Sequence, residues 1–197
     1  MYMRNIRFSS ALVAIALAFV FCSPAFADKP KLDSNSAFYE GQTYNYVLPA
    51  PPGYQMLVEE AGWEGYSFAF IPEKERYASA SVHIGVSIYK QADISLQSLL
   101  KRDTIQIRRD FGKTVVIRSI DPLKTSSGEI VKVFYVDDKS RFIPTLILAY
   151  LDGKTEFAAY QVSVAKDTPR FEAEIAFDEA IRRIKLLERA TYSETKK

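Results

Sequence analysis

The stretch "FIPTLILAYLDGKTEFAAYQVSVA", residues 142–165, decides how this chain is read. Two apolar runs, 142–151 and 155–165, flank Asp152, Gly153 and Lys154. A three-residue connection carrying Asp and Gly suits a hairpin, so the two runs are expected to be antiparallel strands. The first run is apolar on both faces. Phe142, Leu146, Leu148 and Tyr150 share one face, and Ile143, Ile147, Ala149 and Leu151 the other. A strand of that kind belongs inside a sheet that is covered on both sides.

The pattern continues outward from this hairpin. "TVVIRSI" (114–120) and "IVKVFYV" (130–136) read as strands joined by "DPLKTSSGE", and "DDKSR" (137–141) leads into the first run. Asp137 and Asp138 are read as turn residues, because the segment lacks the spaced acidic ladder and closing Glu of a calcium loop. Upstream, "QMLVEE" (55–60), "YSFAFI" (66–71) and "SASVHIGVSIYK" (79–90) read as three more strands. Between the two groups Ser95 is placed to cap a helix over 96–111, with Gly112 as its stop. A last helix is expected from Asp167, Thr168 and Pro169 to about Arg189. Its acids come first (Glu172, Glu174, Asp178, Glu179) and its bases later (Arg182, Arg183, Lys185), as the helix dipole favours.

The expected order is β-β-β-α-β-β-β-β-α. Hairpins in place of crossovers imply an α+β fold, a largely antiparallel sheet with helices packed on it. The last helix is apolar on two sides: Ala173, Phe177, Ala180, Ile181, Ile184 and Leu187 on one, Phe171, Ile175 and Leu186 on another. Both sides are expected to be covered, the second by the aromatic stretch "FYEGQTYNYVLPAPPGY" (38–54), which shows no strand period of its own. The chain divides into a signal peptide (1–27), a polar, aromatic and Pro-rich segment (28–53), one α+β domain (54–190) and a disordered tail (191–197).

Over residues 54–188 the order of elements resembles the Mog1/PsbP-like α/β/α sandwich family. The stretches that carry the resemblance are "GYSFAFIP", "ASASVHIGVSI", "SLQSLLKRD", "SSGEIVKVFYV", "TEFAAYQVSVA" and "FEAEIAFDEAIRRI". The family consists mostly of accessory subunits, binding modules and exported bacterial proteins, with no shared catalytic residues. The resemblance therefore implies a binding role and not an enzyme.

The first 27 residues carry the marks of an export signal. Arg4 and Arg7 precede the apolar run "ALVAIALAFVFC" (11–22), Pro24 breaks it, and Ala25-Phe26-Ala27 supplies an A-x-A cleavage site. The run is too short to span a bilayer, which takes about 20 residues. Cleavage after Ala27 would leave no transmembrane segment, and the periplasm is the expected destination. The segment holds two of the 26 basic residues and none of the 24 acids, so the remainder carries 24 of each. A chain of zero net charge has no electrostatic reason to bind nucleic acid. Cys22, the only cysteine, leaves with the signal. That excludes disulfides and thiolate chemistry from the exported form.

Other chemistry is thin. One histidine and no retained cysteine cannot assemble the usual zinc or copper ligand sets, so no metal or cofactor is expected. No phosphate-binding glycine loop and no G-x-S-x-G occurs. His83 alternates with Val82 and Ile84 and lies on the small, polar face with Ser81, Gly85 and Ser87, so it is read as neither base nor ligand. The alternative to a binding protein is a small periplasmic hydrolase working with a carboxylate pair, for which Glu59, Glu60, Glu64 and Asp152 are candidates. The binding reading points elsewhere, to helix 96–111. There Leu96, Leu100, Ile107 and Phe111 make the packed side. Ile105 falls opposite, ringed by Lys101, Arg102, Arg108 and Arg109, as an apolar anchor for an acidic protein partner.

Overall fold

The computed structural model describes residues 35–138, 146–165 and 167–189. The expected signal peptide (1–27), the expected tail (191–197), and Phe142 and Ile143 of the central run lie outside them. Strand β9 (Leu146–Asp152) runs between β8 (Ile130–Asp138) and β10 (Glu156–Val164), antiparallel to both. Ile147, Ala149 and Leu151 face one layer, Leu148 and Tyr150 the other, and none is more than 5% exposed. Beyond β10 lie β5 (Val82–Lys90), β4 (Phe68–Pro72) and β3 (Tyr54–Leu57). Beyond β8 lies β6 (Val115–Ser119), and the two-residue β7 (Leu123–Lys124) also pairs with β8. The sheet order is β3-β4-β5-β10-β9-β8-β6, with every pairing antiparallel.

A helix covers each face. Helix α2 (Leu96–Phe111) starts and stops where its local sequence dictates. The Ser95 hydroxyl accepts from the Ser98 amide at 3.1 Å. Gly112 ends the helix at φ +92°, a conformation that costs other residues a steric penalty. Leu99 and Ile107 bury themselves against Val136, Leu148, Tyr150 and Phe157. The sequence reading of the packed side missed Leu99, the most buried residue of the helix. On the other face α3 (Arg170–Arg182) packs Ala173, Ala176, Phe177 and Ile181 into the larger core. The largely antiparallel α+β fold expected from the sequence is the fold of the molecule.

Four local expectations differ from what is seen. The first concerns the N-terminal aromatic stretch, which forms two paired strands, β1 (Ser36–Glu40) and β2 (Tyr44–Pro49). The second concerns the last helix. It ends at Arg182, and β11 (Lys185–Glu188) follows, pairing with β2 in a separate three-stranded sheet of order β1-β2-β11. Ladder bonds to β2 replace the helical bonds that residues 185–188 would otherwise make, and the Arg183 side chain donates to the Ala50 carbonyl at 2.6 Å. The small sheet therefore covers the core beside α3, burying Tyr46, Leu48 and Leu186, and leaves the second side of the helix bare. Phe171 and Ile175 are 59% and 60% exposed. Third, "QMLVEE" is a strand only to Leu57, and α1 (Glu59–Trp63) follows. Fourth, Asp137 is a strand residue and not a turn residue. Its carboxylate binds Arg118 at 2.9 Å and Arg170 at 3.0 Å, tying the sheet end to α3.

Glu156 joins the two sheets. It is 1% exposed. Its Oε1 accepts from the Gln42 amide at 2.8 Å, its Oε2 from the Thr155 hydroxyl at 2.6 Å, and its carbonyl from the Tyr46 hydroxyl at 2.9 Å. The neighbouring turns leave no room for larger residues. A Cβ on Gly41 would lie 2.5 Å from the Tyr44 carbonyl oxygen, and one on Gly153 would collide with the Tyr46 hydroxyl.

Candidate binding site

Helix α2 sorts its side chains by the 3.6-residue repeat. Lys101, Thr104, Ile105 and Arg108 fall at i, i+3, i+4 and i+7 and form one stripe. That stripe looks across to β6, the end strand of the sheet. Between them runs a groove of about 600 Å³. Phe134 and Leu148 make its floor, Leu100 and Ile117 its walls, and Lys101 and Arg108 its rim. Ile105 is 58% exposed beside it. Among the described residues no carboxylate lines the groove, so its lining carries a net positive charge.

The structure gathers three of the five residues expected to bind a partner and separates the other two. Lys101, Ile105 and Arg108 line the groove. Arg102 turns to the other flank, where it hydrogen-bonds the Tyr89 hydroxyl at 3.0 Å and Asp103 at 3.2 Å, with its guanidinium 5.3 Å from the Tyr89 ring centre. Arg109 pairs with Asp110 at 3.2 Å. The ring of four bases around Ile105 is thus a rim of two. The floor was not identified as a site in the sequence, although Leu148 and Phe134 alternate as strand residues do. Nothing local shows that Phe134 stays half-buried beside the covered Leu148.

The groove is built on a held helix. The Tyr150 hydroxyl donates to Asp103 Oδ2 at 2.7 Å, anchoring α2 to β9. Burial, reinforced by the Asp103 charge, pushes the Tyr150 phenol far above its ordinary range, so it stays a donor.

The remaining chemical candidates lie outside this groove. His83 Nε2 lies 2.6 Å from the Tyr77 carbonyl, and its ring packs edge-on against Tyr77 with centres 4.9 Å apart. Among the four carboxylates weighed as an acid pair, Asp152 accepts from Gln91 at 2.7 Å at the β9–β10 turn. Glu59, Glu60 and Glu64 lie on or just after α1, where Glu64 accepts from the Tyr77 hydroxyl at 2.9 Å. Among the described residues, the carboxyl groups of Asp137 and Glu129 are both held below their usual range. Hydrogen bonding to Arg170 holds Asp137 below the usual range against the opposing effect of burial. At Glu129 burial opposes ionisation, but the Ser127 and Thr125 hydroxyls outweigh it. No three His, Cys, Asp or Glu residues converge as a metal site among the described residues. No helix there is long and apolar enough to cross a membrane.

The sequence matches no protein-family model and no curated protein. The structure is similar to that of cyanobacterial PsbP (CyanoP) from Synechocystis sp. PCC 6803, with 13% identity and a TM-score of 0.44 over 81% of this chain and 96% of that one.

Proposed function

We propose that this protein is an exported, non-catalytic binding module that docks an acidic protein surface in the groove along α2. The observation that carries the reading is the groove itself: an apolar floor, two cations on the rim, no lining carboxylate, and Ile105 exposed beside it. Such a site steers an acidic partner by charge and holds it by apolar burial. The export signal supports a partner in the periplasm or cell envelope.

The test uses residues 28–197 as bait on cell-envelope extracts, with and without the paired changes Ile105→Asp and Arg108→Glu. A specific protein retained by the wild type and lost by the double variant, with binding that weakens in salt, is the expected result. Equal retention by both baits would remove the groove from the interface.

A further inference from the structure

A second groove lies at the other end of the same sheet face, and its charge is opposite. It begins with α1. This five-residue helix is anchored by Ala61, which is fully buried. Glu60, Trp63 and Glu64 follow one another at i, i+3 and i+4, so they share a side. They face the loop between β4 and β5 across a groove of about 640 Å³, with Leu57 of β3 among its apolar lining. The sheet order places β3 six strand spacings from β6, on the order of 29 Å at about 4.8 Å each. This groove is therefore separate from the α2 site.

Two features mark it as unfilled. Trp63, the only tryptophan of the chain, is 77% exposed. A bare indole beside a concave surface suits a binding site, since tryptophan is among the residues enriched at binding hot spots. Glu60 makes no hydrogen bond or ion pair among the described residues. Its two acidic neighbours are engaged: Glu64 with the Tyr77 hydroxyl at 2.9 Å, and Glu75 with the Ser81 amide and hydroxyl at 2.5 and 2.8 Å. Three carboxylates line the groove against one base, Arg76.

We infer that this groove binds a basic segment of another protein, taking one arginine or lysine side chain between Trp63 and Glu60. The indole face attracts a cation, and most strongly a guanidinium. The aliphatic stem lies along apolar surface at Leu57 while the charged head meets the carboxylate. Charge complementarity decides the occupant: an acidic segment would meet Glu60, Glu64 and Glu75.

Trp63 is its own reporter. The peptide acetyl-Ala-Leu-Arg-Ala-amide is titrated into residues 28–197 while tryptophan emission is followed, alongside the same peptide with neutral citrulline in place of arginine. The arginine peptide is expected to shift the emission saturably, with a half-saturation point that rises in salt, and the citrulline peptide is not. Glu60→Gln is expected to weaken binding by about threefold to fivefold, the worth of one partly exposed charge pair. Glu59→Gln, a neighbour that does not line the groove, is expected to leave it unchanged. Far-ultraviolet circular dichroism checks that both variants fold. An equal response to citrulline would overturn the proposal. So would equal weakening by the two variants, which would reduce the effect to diffuse charge. A response to phosphatidylcholine vesicles without one to the arginine peptide would assign the groove to a lipid headgroup and overturn it as well. Loss of the α2 groove variant's partner bears on neither outcome.

Discussion

Glu156 offers the sharpest test of how the two sheets are joined. It is a carboxylate with almost no solvent contact, and its oxygens take the Gln42 amide and the Thr155 hydroxyl. Replacement by Ala relieves the cost of burying a charge but takes this acceptor from both donors, of which the Thr155 hydroxyl keeps Thr43 Oγ1 at 3.1 Å. A charge-assisted hydrogen bond contributes about 1.5–3 kcal/mol, and a stranded buried donor costs about 1–3 kcal/mol. Gln42 is itself exposed, so water recovers part of the loss at its amide. The net expectation for Glu156→Ala is about 2–3 kcal/mol. In a chain of this size that lowers the melting temperature by roughly 5–10 °C. Glu156→Gln keeps the shape and one acceptor for the Gln42 amide, and it is expected to cost about half as much. Urea unfolding of residues 28–197, followed by far-ultraviolet circular dichroism, measures both. The Ala variant within about 0.5 kcal/mol of wild type would refute the reasoning. A Gln variant as unstable as the Ala variant would do the same, since charge alone and not the pair of bonds would then be holding the turn.

Three further expectations follow from the same structure. Leu148→Asp places an unpaired charge on the covered face of β9 and should cost about 4 kcal/mol or more, whereas Phe171→Asp on the bare side of α3 should change the melting temperature little; similar losses would contradict the burial assigned to them. Asp137 has its pKa lowered by Arg170 and Arg118, so its contribution to stability is present above the unfolded value of about 3.9 and is lost as pH falls through the lower folded value; Asp137→Asn should flatten that acid limb in melts at pH 7, 5 and 3, and an unchanged slope would remove Asp137 from it. The exported protein should begin at Asp28, and an intact mass showing a retained N-terminus or a lipid on Cys22 would overturn the processing proposed from the signal sequence.

By itself the sequence determined whatever depends on near neighbours. Helix α2 was legible to the residue, because Ser95 caps it and Gly112 stops it through contacts no more than four residues away. Strand β9 was legible because apolar residues on both faces leave it no stable place but the interior. Ile105, Lys101 and Arg108 could be found for the same reason: helical spacing alone puts them on one stripe.

What tertiary structure decided depends on partners far away in the chain. Tyr44–Pro49 becomes a strand by pairing with β1 beside it and with β11, which arrives about 140 residues later; Leu186 lies opposite Tyr46. Residues 185–188 carry a pattern that suits helix or strand, and only the ladder with β2 settles it. The bare side of α3 follows, since the segment expected to cover it is spent in that sheet. The same holds for the grooves. Whether Arg102 joins the rim or turns to Tyr89, and whether Trp63 is covered or exposed, is decided by side chains that the fold brings near, which periodicity along the chain does not encode.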